Sequence, residues 1–217
     1  MADYSAQRTM MVDTQVRPSD VTKFPIIEAM LSVPRERFVP GDARDTAYRD
    51  GPISLDDGRA MLEVRVLAKM LDALDISPDE LVLDLGCGLG YSSAIVARMA
   101  EAVVALEENP DMAAEAEALL GEADADNVAV VTGALAEGAA KHGPYDVILL
   151  QGGVKELPET LEAQLGDGGR IAAIFMRGAL GVCRIGHKTG NMVDWRDAFN
   201  AAAPILPGFS RAAEFQL

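Results

Sequence analysis

A chain of 217 residues with 49% hydrophobic and only 5% aromatic content is long enough to bury roughly 70% of its unfolded surface, the scale of one large domain. Its 34 acidic against 19 basic residues leave a formal net charge of −15, which repels polyanions and argues against nucleic acid as a partner. No apolar run reaches the ~20 residues of a membrane span, no basic-then-apolar leader opens the chain, and Cys87 and Cys183 have no disulfide or zinc spacing, so a cytoplasmic protein without a membrane partner is expected.

In chain order, residues 1–58 read as a helical N-terminal extension, with a short helix over 26–32, and residues 59–217 as a Rossmann-like core; together, 1–217 form a single domain. From Leu81 the pattern becomes regular. "ELVLDLG" at 80–86 predicts a buried strand, "YSSAIVARMA" at 91–100 a helix, and "AVVALEE" at 102–108 a second strand. A second helix is predicted over 110–120. Asn109 is its N-cap, Pro110 its first residue and Gly121 its stop, and Met112, Ala116, Leu119 and Leu120 recur at helical spacing. "NVAVVTG" at 127–133, "YDVILLQ" at 145–151 and "GRIAAIFM" at 169–176 predict further strands with helical patterns between them. Continuous Val/Ile/Leu strands alternating with helices indicate an α/β fold, a parallel sheet wound on both faces. Such sheets bind ligands beyond the carboxyl ends of their strands, where strand order reverses.

The turn after the first of these strands lies at that place. Gly86, Gly88 and Gly90 let backbone approach a ligand closely, and the helix from Tyr91 offers unpaired N–H groups. The spacing is G-x-G-x-G, one residue short of a dinucleotide fingerprint, and Asp84 stands two residues before the first glycine, where an acid suits a cationic amine rather than a pyrophosphate. Glu107, 23 positions later at the end of the next strand, can accept both hydroxyls of a ribose. A ligand with a ribose, an ammonium and a carboxylate is S-adenosyl-L-methionine. Cys87 within the turn and Glu108 beside Glu107 join the expected cofactor-binding set.

"RTMMVDTQV" at 8–16, "IIEAMLSVPRERFVP" at 26–40, "AYRDGPISLDDG" at 47–58, "VLDLGCGLGYSSAIVARMA" at 82–100, "GPYDVILLQGG" at 143–153 and "LEAQLGDGGR" at 161–170 follow one another in an order and spacing that resemble the protein-L-isoaspartate O-methyltransferases. "VPRERFVP" followed by "AYRD" is the most specific part, because cofactor motifs are shared by many methyltransferases. The resemblance implies a Rossmann-like S-adenosylmethionine-dependent methyltransferase fold. It also implies methyl transfer to the α-carboxylate of an isoaspartyl site in a damaged protein or peptide, which then closes to a succinimide. A carboxylate is already a nucleophile and a sulfonium methyl already activated, so alignment and exclusion of water suffice and no catalytic His142 or His187 is required.

The chain departs from that pattern on the acceptor side. Where the family carries "G-Q-T-I-S-Q-P", this chain has "GRAMLEV", with Ala60 for the Thr and Leu62 for the Ser. The family's "GDG", whose Asp meets the adenine amine, corresponds to "GAL" at 133–135: Ala134 cannot accept that bond, and the backbone around Leu135 is the candidate replacement. The family's Thr after the fourth strand is Gln151, which could face the methionine end or the acceptor. Arg59, whose guanidinium fork fits a carboxylate, and Ser54, a replacement hydroxyl, are the further acceptor-side candidates; Arg65 reads as a solvated helix residue. A small-molecule methyltransferase on the same scaffold and a non-catalytic S-adenosylmethionine-binding protein both stay open. No oxygen cage for a metal can be assembled, no "N-P-P-Y"-like stretch supports nucleic-acid methylation, and the oligomeric state is not readable.

Overall fold

A computed structural model describes residues 3–210; the extreme ends of the 1–217 domain range, residues 1–2 and 211–217, lie outside the described residues. Helices α1 (Tyr4–Met11) and α2 (Phe24–Ser32) come first, then a small hairpin of β1 (Ile53–Ser54) and β2 (Ala60–Met61), then α3 (Val64–Leu74). The core continues with β3 (Leu81–Leu85), α4 (Tyr91–Val96), β4 (Ala102–Glu107), α5 (Pro110–Glu122), β5 (Val128–Thr132), β6 (Tyr145–Val154), α6 (Glu159–Glu162), β7 (Leu165–Arg177), β8 (Leu180–Thr189) and β9 (Met192–Asn200).

The seven-stranded sheet has the order β5-β4-β3-β6-β7-β8-β9. Its first five strands are parallel, as their apolar runs require, whereas β8 and β9 return antiparallel along the β7 edge, so the sheet is mixed rather than wholly parallel. "RGALG" turns too tightly for a helical crossover, with Gly178 at φ +63°, and a strand that turns back at once must pair antiparallel. Strand order reverses at β3, which has β4 on one side and β6 on the other. Register places Leu85 opposite both Leu106 and Leu150, so the residues that follow these three strands emerge at one edge.

Three expectations for the crossovers are corrected. The β5–β6 connection holds only 3-10 turns at 135–137 and 140–142, because Gly133, Gly138, Gly143 and Pro144 interrupt any longer helix, and the β6–β7 connection, ten residues long, holds a single helical turn after Pro158. Gly121 does not stop α5: it is helical, and the chain reverses at Asp124, at φ +54°, after Ala123. The other end of α5 is built as its sequence requires, with Asn109 Oδ1 accepting from the N–H of Asp111 and Met112. The helix after β3 is also shorter than expected, ending at Val96.

The strands bury alternate residues on two faces. Val82, Val147, Leu149, Ala172 and Ile174 belong to one apolar cluster with residues of α1–α5, in which α3 packs on β7 and β8, and α2 on α3 and α4. Leu83, Leu85, Leu106, Ile148 and Leu150 face the opposite way, against Leu135, Leu161 and the tail residues Leu206 and Phe209.

One polar cluster ties the end of α3 to β7. Arg170 donates from Nε and Nη2 to the Leu74 carbonyl at 2.9 and 2.7 Å, and from Nη2 to the Asp75 carbonyl at 2.8 Å, while its fork grips the Glu80 carboxylate. Burial alone would raise the Glu80 pKa; the Arg170 fork and the Ser77 N–H outweigh it and hold the carboxyl below its ordinary value. A depressed carboxylate contributes stability above its unfolded pKa and loses it as pH falls through the folded one. Glu80→Gln is therefore expected to cost about 1–2 kcal/mol at neutral pH and much less near pH 3. Denaturant unfolding at the two pH values checks this, and an equal cost at both excludes the linkage.

Candidate active site

At the shared edge of β3, β4 and β6, two carboxylates are completely buried. Asp84, on the last turn of β3, accepts from Ser92 Oγ at 2.6 Å, Ser93 Oγ at 2.5 Å and Gln151 Nε2 at 2.8 Å. The two serines open α4 directly after the glycine turn, and Gln151 comes from the neighbouring β6, so both adjacent elements hold the acid. Burial pushes the Asp84 pKa up and these three hydrogen bonds push back, with the nearby Glu107 adding to the rise.

Glu107 ends β4. It accepts from the backbone N–H of Gly88 at 2.8 Å, Glu108 at 2.9 Å and Asn109 at 3.1 Å, and from Arg59 Nη1 at 2.7 Å. The glycine turn between the acids needs left-handed backbone at Gly86, Gly88 and Gly90, with φ of +79°, +58° and +92°. A Cβ on Gly88 would lie 2.8 Å from Leu55 Cδ1, and one on Gly86 3.1 Å from Arg59 Nη2.

Of the other cofactor-side candidates, Cys87 is buried in the turn, and burial first, then Asp84 and Glu107, push its thiol pKa well up, so it is no nucleophile. Glu108 is exposed, with the Leu135 N–H at 3.5 Å from its carboxylate; Ala134 is exposed and Leu135 buried. The acceptor-side candidates are not brought together. Gln151 lies on Asp84, and Arg59 lies on Glu107 and the Gly86 carbonyl, at 2.7 Å each. Ser54 is exposed and lines a separate surface recess with Asp42 and Arg49. Arg65 is exposed and paired to Glu63 at 2.6 Å. Both histidines are exposed, His142 in a 3-10 turn and His187 within β8.

Four participants carry no expectation in the sequence: Ser92, Ser93, Arg35 and Leu206. Ser92 and Ser93 carry a signal in hindsight, since two hydroxyls beginning a helix after a glycine turn face back to the strand they leave. Arg35, in "VPRERFVP", is fully buried, donating to the carbonyls of Ala47 at 2.9 Å and Leu62 at 3.2 Å, with its guanidinium 4.7 Å above the Tyr91 ring. It fixes the segment that bears Leu62. Leu206 stands over Gly86 and Gly152 from a tail that bonds β6 through Gly153 N–H to the Pro204 carbonyl and Leu206 N–H to the Gly153 carbonyl. No local pattern announces it.

The donor set fits S-adenosylmethionine: one buried acid for an ammonium, one for ribose hydroxyls, and a close-approach turn between them. The space is divided. An enclosed cavity lined by Arg35, Ala60, Leu62, Tyr91 and Gln151 measures about 20 Å³, room for about one water, and an outer recess lined by Arg59, Glu108, Asn109 and Met112 about 280 Å³. Arg59 and Leu55 lie against the glycine turn itself, at Gly86 and Gly88.

A doubly wound sheet with an acid before the glycine turn of its first strand and an acid ending the second defines the S-adenosylmethionine-dependent methyltransferase class. Within it, the sequence model of the protein-L-isoaspartate (D-aspartate) O-methyltransferase family matches residues 7–181, and the chain belongs to that family. It is 34% identical over 171 residues to the protein-L-isoaspartate O-methyltransferase of Koribacter versatilis (strain Ellin345), covering 79% of this chain and 77% of that one. To the protein of the same name from Syntrophus aciditrophicus (strain SB) it is 36% identical over 171 residues, covering 79% and 78%. A Plasmodium falciparum structure described as a protein-L-isoaspartate O-methyltransferase in complex with S-adenosyl-L-homocysteine superposes with a TM-score of 0.80 over 95% of this chain and 99% of that one, at 18% identity, which shows the shared fold. The family's methyl donor is S-adenosylmethionine.

Proposed function

We propose that this chain methylates the carboxylate of isoaspartyl residues in damaged proteins or peptides, drawing on S-adenosylmethionine, as a repair enzyme of the cytoplasm. The observation that supports this most strongly is the pair of buried acids, Asp84 and Glu107, flanking the glycine turn on the family's frame. Among the described residues no helix is long and apolar enough to cross a membrane, and both cysteines are free.

When bound, the cofactor supplies an activated methyl group. Asp84 is the group to hold its ammonium and Glu107 its ribose hydroxyls, with the Leu135 backbone beside the base. Gln151 positions Asp84 and lines the cavity on the acceptor side. No side chain has to remove a proton, because the acceptor carboxylate attacks as it is; the protein orients the two and keeps water out. The apolar Ala60, Met61 and Leu62 around the inner cavity favour, as a second reading, a small carboxylic acid in place of a peptide.

The test is transfer of labelled methyl to an isoaspartyl peptide beside its aspartyl twin. Transfer to the isoaspartyl peptide alone is the expected result. Transfer to neither, with cofactor binding confirmed by calorimetry, removes the repair reading and turns the search to small carboxylates.

A further inference from the structure

We propose that Arg59 is a gate on the cofactor site: its guanidinium occupies the place of the ribose on Glu107, and S-adenosylmethionine binds only when Arg59 leaves. The proposal rests on the cofactor reading above and adds a regulatory element to the same site.

The geometry of the two partners is asymmetric. Without Arg59, Glu107 still accepts from the backbone N–H groups of Gly88, Glu108 and Asn109, so the carboxylate stays satisfied. The guanidinium is less well served. Its Nη1 bonds Glu107 and its Nη2 the Gly86 carbonyl, but its Nε, equally buried, has no hydrogen-bond partner among the described residues. A buried donor left unpaired favours departure to water, whereas the charge pair favours staying. The opposition defines two arrangements, with the charge pair favouring the closed one.

Position and the shortness of the supporting hairpin agree with this. Arg59 lines the outer recess, Leu55 and Gly86 line the inner cavity, and both side chains lie against the glycine turn along which an extended ligand would run, Arg59 at Gly86 and Leu55 at Gly88. Both ride on the β1–β2 hairpin, whose strands have two residues each and whose turn carries left-handed Asp57 and Gly58. An exposed bond from Asn109 Nδ2 to Asp57, 2.9 Å, pins that turn. So short a hairpin is marginal by itself; β2 packs on β6 and Arg35 holds the Leu62 carbonyl, which confines the opening to the turn that carries Leu55 and Arg59.

A site closed in most molecules binds with its intrinsic affinity reduced by the open fraction. Calorimetric titration of S-adenosyl-L-homocysteine into the full chain and into Arg59→Ala and Arg59→Gln reads that fraction. Binding at least about 10-fold tighter in the variants is expected. Equal or weaker binding in folded variants, with the wild type binding measurably, overturns the gate and leaves the cofactor reading intact, Arg59 then being a contact. Binding by none of the three overturns both. Should the variants not fold, nuclear magnetic resonance of the wild-type guanidinium decides: the Arg59 Nε–H signal, shielded from solvent in the free protein, is expected to enter fast exchange on addition of S-adenosyl-L-homocysteine. A signal unchanged at saturation overturns the gate.

Discussion

Glu107→Ala is expected to lower the stability of the chain by about 3–5 kcal/mol, because it leaves the Arg59 guanidinium buried without its counter-charge. The side chains of the pair are 4% and 0% exposed, so solvent cannot replace the lost partner unless the hairpin opens. For a domain of this length each kcal/mol moves the midpoint of thermal unfolding by roughly 2–4 °C, which puts the expected fall on the order of 10 °C. Removing both partners is less damaging than removing one, since no orphan charge remains. The double variant Arg59→Ala/Glu107→Ala should therefore melt above Glu107→Ala, and a double variant at or below it would show that the pair is not what Glu107 contributes. The same cycle separates binding from stability. With Arg59 absent, loss of Glu107 should weaken cofactor affinity about 10-fold or more; with Arg59 present the loss should be smaller, because the carboxylate is then already engaged.

Legibility followed sequence distance. Asp84 and the glycines lie within one strand-turn-helix, where alternation, turn residues and helix onset are set by near neighbours, and the turn falls at the strand-order reversal as its sequence predicts. Asn109 as a cap was equally local. The Arg59–Glu107 pair spans 48 positions and the Gln151–Asp84 bond 67, and nothing in either segment names its partner. The guanidinium fork of Arg59 was read for a carboxylate, and the structure gives it one from its own chain. The acidic surface carried no information about the site. The β8–β9 return was hidden for a different reason: strands with one face towards solvent have a weaker apolar pattern than doubly covered ones, as the alternating half-buried run Val182 to Ile185 in β8 and the mostly exposed edge strand β9 show.

The tail's role in the site leads to a coupled expectation at Gly152 and Leu206. Gly152 lies in β6 one residue beyond Gln151, and a Cβ added there would lie 2.5 Å from Leu206 Cδ2 and 2.6 Å from its Cγ. The Leu206 backbone is held on both sides, its N–H donating to the Gly153 carbonyl at 2.9 Å and its carbonyl accepting from the Phe209 N–H at 3.1 Å, so Cγ, two bonds from that backbone, cannot swing away as a free tip would. Gly152→Ala should accordingly cost about 1–3 kcal/mol through overpacking. Leu206→Ala, at 2% exposure, should cost about 2–5 kcal/mol through lost burial and the cavity left behind. Combined, the new methyl enters the space the leucine vacates, so the double variant should be more stable than the sum of the single losses by at least about 1 kcal/mol. Strict additivity in denaturant unfolding would mean that Leu206 does not rest on the end of β6, and that the tail closes the site by some other contact. The favourable coupling, if found, identifies Leu206 as the wall beside Gly86 that any ligand seated on the glycine turn must meet.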